Sequence, residues 1–308
     1  GRGVFTQMYE PLLFEVARLP DPSIGDTIAA LDALIKAAPA AAKQPEVLHA
    51  QAMVLAKTGK TAEAAAKMDE LYGLTRQPDH LWIAAEMCRE ADKPRALALY
   101  LRVIQELPWH GTGFDAVGRA RALGATRQQL EPLMPLLLAS VGDDLNRQGR
   151  VLWMRGEISQ DPAQLAKAVL VSVWELDTDA VLAAAKANPA VRKALETVAA
   201  DPTAGAQCWQ ARCLIGLMDG KPEAIAAATR EAGWWDEGRA GGWNDRIGRL
   251  LDERKADAAT IERTFRPIVT GFLPANLRRN AAEHAGRRLN QAKAGEQAQA
   301  LMQGKTAA

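Results

Sequence analysis

The 308-residue sequence predicts an all-α fold, a solenoid of stacked antiparallel helical hairpins, and three observations carry that prediction. First, Gly59 to Met68 and Ala91 to Tyr100 repeat one hairpin pattern about thirty-two residues apart, a period typical of units that stack on their neighbours. Second, apolar residues recur at helical spacing well outside those copies, as in Ile28, Leu31 and Ile35 and again in Val191, Leu195 and Val198. Third, no alternating segment bounded by Asn-Gly or Asp-Gly hairpin turns occurs, although a chain of this length with strands should show several.

Taken in order, the first copy has Leu48, Gln51, Ala52 and Leu55 on one helix, a Lys57-Thr58-Gly59-Lys60 turn, then Ala64 and Met68 on the next, with Pro78 closing the unit. In the second copy Ile83, Ala84 and Met87 make the first helix. Ala91-Asp92-Lys93-Pro94 turns the chain, and Leu97, Tyr100, Leu101 and Ile104 form the apolar face of a helix that runs from near Pro94 to Pro108. Gly111-Thr112-Gly113 reads as an interhelical turn. Val141-Gly142-Asp143-Asp144 ends one helix and caps another, which divides the chain into an N-terminal block, 1–140, and a C-terminal block, 141–308, expected to continue the first.

Asp161 to Leu176 reads as a buried helix, because Leu165, Val169 and Val173 recur every four residues despite their β-branched company. Asp161-Pro162 and Asp201-Pro202 each place a capping carboxylate before a proline whose missing N–H costs nothing in the first turn. Trp209 to Met218 and Pro222 to Glu231, joined by Asp219-Gly220-Lys221, read as a third, divergent hairpin.

In the second copy Ala96, Tyr100 and Pro108 stand where a tetratricopeptide repeat has its small residue, its aromatic four later and its closing proline. Ile83, Ala84 and Met87 fall on that family's leucine, glycine and tyrosine positions; His80 replaces its tryptophan. The segment therefore resembles a tetratricopeptide repeat, and the resemblance implies a right-handed α-solenoid whose groove binds a protein or peptide. On the first helices the polar groove candidates are Gln51, His80, Glu86 and Arg89. The Ala-rich hairpins are also similar to the superhelical region of soluble lytic transglycosylases. That second resemblance implies an accessory glycan-binding or peptidoglycan-binding role and a periplasmic location, although the Glu-Ser pair of such an enzyme's catalytic module is absent here.

Charge excludes some partners. Thirty-eight Lys and Arg against thirty-seven Asp and Glu leave a formal net charge of +1, which offers no global attraction to nucleic acid or an anionic membrane. Arg278, Arg279, Arg287, Arg288, Lys293 and Lys305 make only the last segment mildly basic, and it reads as a solvated helix or an acidic partner's dock. No apolar run is long enough to span a bilayer, so direct membrane insertion is not expected. Cys88, Cys208 and Cys213 form no disulfide framework, and free thiols favour the cytoplasm. The opening Gly1-Arg2-Gly3, without Met, is compatible with a removed signal peptide or upstream domain.

Catalytic signatures are equally sparse. His49, His80, His110 and His284 have no partner at the three- or four-residue spacing that lets two imidazoles on one helix share a metal. Phosphate loops and nucleophile elbows are missing, so neither an enzyme activity nor a cofactor is predicted. The most unusual composition is Gly233 to Trp243, where Trp234, Trp235 and Trp243 share one stretch with four glycines. This run reads as a break in the helical pattern, serving either as an aromatic platform for a ligand or as packing between helical stacks. Asp236 and Arg239 are placed to pair across it. Trp82, Trp109, Trp153, Trp174 and Trp209 sit singly in or beside apolar runs and read as core. The expected function is thus a non-catalytic interaction scaffold or assembly subunit that binds a partner protein or peptide.

Overall fold

The computed structural model describes residues 21–232 and 236–303, and every described element is helical. Contacts divide the chain into two units, 1–142 and 143–308. Trp234 and Trp235 lie outside the described residues.

In the first unit α1 (Asp21–Ala37) leads through a 3₁₀ turn (Pro39–Lys43) into α2 (Pro45–Lys57), α3 (Thr61–Thr75), α4 (Pro78–Cys88), α5 (Lys93–Glu106) and α6 (Gly111–Ala122). The short α7 (Arg127–Leu130) and α8 (Met134–Ser140) close it, separated by a second 3₁₀ turn (Glu131–Leu133). From α2 to α6 each helix packs chiefly on the next one in sequence. The reason is visible in the side chains. Ala52, Ala64, Ala84, Ala85 and Ala96 are all fully buried, so small residues stand wherever neighbouring helices approach, and Leu48, Met68, Leu81, Tyr100 and Ile104 fill the space between. Asp92 caps α5 by accepting the Arg95 N–H at 3.1 Å, as the Asp-Lys-Pro turn requires. Pro78 and Gly111 both belong to first turns of helices, α4 and α6, rather than to the ends or turns that the sequence suggests.

The second unit contains α9 (Leu145–Ser159), α10 (Pro162–Val171), α11 (Thr178–Ala187), α12 (Pro189–Ala200), α13 (Ala206–Met218), α14 (Pro222–Ala232), α15 (Glu237–Glu253), α16 (Ala258–Val269), α17 (Ala275–Gln291) and α18 (Gly295–Met302). Packing again follows chain order, with α10 on α12, α14 on α16 and α15 on α17 as contacts one element further along. Capping carboxylates set many of the helix starts: Asp144, Asp161, Asp177, Asp236 and Asp257 each accept backbone N–H groups of the first turn. Asp201 caps only a 3₁₀ turn, Pro202–Ala204, and α13 starts after Gly205, whose φ of 57° suits a residue without Cβ.

Two pairs of consecutive helices share a device. Gly156 and Gly216 each stand six residues before the proline that begins the next helix, Pro162 and Pro222. A Cβ on Gly156 would come within 2.7 Å of Leu165 Cδ2 and 2.9 Å of its backbone nitrogen, and one on Gly216 within 2.8 Å of Ile225 Cγ1. Glycine therefore sets how closely α9 meets α10 and α13 meets α14.

The sequence places Val173 and Trp174 inside a helix; the chain instead leaves helical geometry at Ser172 and runs through an irregular turn, 172–177. Side chains hold this turn. Ser172 donates to Asn146 Oδ1 at 2.7 Å and accepts the Trp174 N–H, while Gln207 accepts the Val173 N–H and Gln210 donates to the Val173 carbonyl. A Cβ at Gly149 would lie 2.6 Å from the Ser172 carbonyl oxygen, so the turn is also pressed against the backbone of α9.

The glycine-rich run, expected as a break, forms the start of α15 from residue 237 onward. Ala240, Trp243, Asn244, Ile247 and Leu251 recur at three- and four-residue spacing and are all buried. That face, together with the Asp236 cap, outweighs the low helix propensity of Gly238, Gly241 and Gly242.

Candidate functional site

The turn 172–177, the first turn of α11, α13 and the exposed side of α15 enclose an open cleft of about 370 Å³, a size suited to a ligand. Its lining includes Trp174, Glu175, Asp177, Gln210, Arg239, Gly242, Trp243 and Arg246. Residues far apart in sequence meet here, because Gln207 and Gln210 hold the 172–177 turn to α13 and Arg239 holds it to α15.

Arg239 is the best-organised side chain in the cleft. Its guanidinium carbon lies 4.0 Å from the centroid of the Trp174 ring. One terminal nitrogen donates to the Trp174 carbonyl and, at 3.3 Å, to Gln210 Oε1, while Nε sits 3.3 Å from Asp236. The expected Asp236–Arg239 pair therefore forms, within one helical turn. Trp174 is in turn braced edge-on by Trp209, with ring centroids 5.6 Å apart and planes at 88°. Trp209 is buried, and its indole N–H has no acceptor among the described residues.

Arg246, two turns further along α15, repeats the arrangement. It lies over Trp243, 5.7 Å from the ring centroid, and pairs with Asp179 at 2.7 Å. That bond from Arg246 holds the Asp179 carboxyl below the usual carboxylate range. Each arginine thus has its own aromatic ring and its own aspartate. Trp243 is only 5% exposed, so the ring presents no open face to a ligand.

On the opposite wall Glu175 is exposed and has no partner among the described residues, and Asp177 uses one oxygen to cap α11 through the Ala180 N–H at 2.8 Å. Gly242, also exposed, lies on the α15 side; a Cβ built there meets nothing within 4 Å among the described residues.

Of the four groove candidates of the first unit, Glu86 and Arg89 meet each other, while His80 and Gln51 each have other surroundings. On α4, Glu86 accepts a 2.5 Å hydrogen bond from the Tyr100 hydroxyl and pairs with Arg89 at 2.9 Å and Arg119 at 3.2 Å. Burial, and then the Glu86 bond, push the Tyr100 hydroxyl well above the ordinary phenol range. Glu86 is therefore committed to joining α4, α5 and α6, and Arg89 is held at the end of α4 by Glu86 and Glu90. His80 Nδ1 lies 2.9 Å from the Thr75 hydroxyl, and its ring centroid is 6.3 Å from that of His49 on α2. Burial, reinforced by His49, lowers the His80 pKa. Gln51 is half-buried on α2, with its side-chain oxygen sealed from solvent and without a partner among the described residues.

Of the five tryptophans read as core, Trp153 and Trp209 are buried, Trp82 is half-buried against Tyr100, and Trp174 lines the cleft. Trp109 is 59% exposed, because Pro108 ends the helical register just before it. Cys88, Cys208 and Cys213 are all buried. No group of three or more His, Cys, Asp or Glu among the described residues is arranged to hold a metal ion, and no described helix is long and apolar enough to cross a membrane. No protein-family model matches the chain, and no curated protein sequence matches it either.

Proposed function

We propose that this chain is a helical-repeat interaction module, built from antiparallel hairpins stacked in a right-handed sense like tetratricopeptide units, and that it binds a segment of a partner protein in the cleft beside α15. The short turns and the packing in chain order support the stacked-hairpin reading. One observation carries the functional part. Arg239 is fixed by four contacts to three neighbours, Trp174, Gln210 and Asp236, in a cleft that the protein leaves open, and a preformed polar cleft loses little ordering entropy when a peptide enters. The glycan reading gains less from this geometry, because Trp243 is buried and Trp174 is already covered by a guanidinium group.

Selection of an unbiased displayed peptide library against the intact chain tests the proposal, with Gly242→Leu as the counter-target. Gly242 lines the cleft, and a Cβ built there meets nothing within 4 Å among the described residues, so a leucine at 242 takes up space that a ligand would need. Sequences that enrich on the parent chain and fail to bind the variant are the expected result. A library that yields no enrichment, or binders indifferent to Gly242→Leu, ends the cleft-binding reading.

A further inference from the structure

We infer that the occupant of this cleft is a basic peptide segment whose backbone passes Gly242 and whose Lys or Arg side chain meets Glu175 and Asp177; this rests on the peptide-binding reading above. The balance of charge in the cleft decides the class. Arg239 is already paired with Asp236, and Arg246 with Asp179. The carboxylates left over are Glu175, without a partner among the described residues, and the oxygen of Asp177 that the helix cap does not use. Of the four charged groups in the lining, the two guanidinium groups are thus already paired with aspartates beside the cleft, and the demand left unfilled is that of the two carboxylates. An incoming anion would compete with two aspartates already in place and meet two further carboxylates; an incoming cation fills an unfilled demand.

Gly242 supplies the second, independent observation. It is exposed inside α15, away from either end, where glycine is a poor helix former. The three glycines already shown to set close approaches, Gly149, Gly156 and Gly216, would each drive a Cβ into a neighbour, whereas at Gly242 no described atom lies within 4 Å of it. The described fold needs glycine neither here nor at neighbouring Gly241, but of the two only Gly242 lines the cleft, where the missing side chain leaves room for a peptide backbone. Flat aromatic recognition is not on offer there, since Arg239 and Arg246 lie over the two tryptophan rings of the lining.

The probes are two capped peptides of equal length, one alternating Lys with Ala and one alternating Glu with Ala, titrated into the intact chain by calorimetry. The Lys peptide binds saturably, more weakly as salt is raised, and loses at least about tenfold in affinity in Gly242→Leu and again in Glu175→Lys. Both positions are exposed, so circular dichroism and melting curves of the two variants should show the parent fold. Absence of saturable binding by the Lys peptide overturns the inference, as does binding that neither substitution weakens. Tighter binding of the Glu peptide, still blocked by Gly242→Leu, overturns the basic class and leaves the peptide-binding reading standing. The unbiased library addresses that reading on its own.

Discussion

His80 shows how a single half-buried ring couples this fold to pH. The imidazole has the Thr75 hydroxyl at one nitrogen, and burial together with His49 disfavours its cation, so its folded pKa lies below the unfolded value. A histidine with a depressed pKa binds its proton more readily in the unfolded chain, so stability is greatest at neutral pH and falls as pH drops through about 6.5, the unfolded value. Buried His284 is shifted the same way, by burial first and then by Arg287 and Arg288, and adds to the effect. Melting curves recorded on either side of that pH should show a lower midpoint on the acid side, and His80→Gln should shrink the difference. An equal difference in the variant would mean that His80 titrates no differently in the folded and unfolded chain. None of this is legible from sequence, because His49 and His80 stand on different helices and only the packing brings the rings together.

At the scale of elements, glycine has two opposite meanings, and paired substitutions separate them. Gly156→Ala should destabilise the chain by about 1–3 kcal/mol, since the new Cβ meets the Leu165 backbone nitrogen, which cannot rotate away. Gly241→Ala should stabilise it by about 0.5–1 kcal/mol, because a Cβ there meets nothing within 4 Å among the described residues and alanine is the better helix former. Thermal melts of the two variants check both signs, and a stabilised Gly156→Ala would refute the close α9–α10 approach. The same contrast explains which elements sequence alone reveals. Consecutive helices joined by an Asp-Lys-Pro or Gly-Lys-Pro turn are plain, as for α4 to α5 and α13 to α14. The starts of α9 and α10 are marked by Asp144 and Asp161-Pro162, but their close approach is hidden because the small residue that permits it, Gly156, lies in a helix that matches no repeat. Helix α15 is hidden for the opposite reason: its glycines signal a break, and only the buried face from Ala240 to Leu251, matched by tertiary packing, reverses that signal. The candidate site was half legible. Arg239 and Trp243 stand out in the unusual run, but Trp174, Glu175 and Asp177 join them through a turn that reads as helix, sixty-five residues away in the case of Trp174 and Arg239.

For the whole molecule, the decisive property is that within each unit packing largely follows chain order, so a terminal element supports mainly its near neighbours. Helix α18 rests on α17 and, more lightly, on α16, and it contributes Ala298 and Leu301 to the core. Ending the chain after Ala294 should therefore cost roughly 2–4 kcal/mol, the burial of those two side chains and of the apolar surface they cover on α17. In a fold with one central core, losing a helix removes contacts from every layer and abolishes cooperative folding. In a stack, the remaining helices keep their neighbours, so the shortened chain should still melt cooperatively, with a lower midpoint and nearly unchanged helicity per residue. The cleft lies between the 172–177 turn, α11, α13 and α15, whereas α18 packs chiefly on α17 and α16, so binding of the Lys-containing peptide should survive the truncation. Circular dichroism and calorimetry on the truncated chain read both quantities. Loss of all helical structure would show that stability is shared globally, and would count against a stack of repeats as the organising principle of this protein.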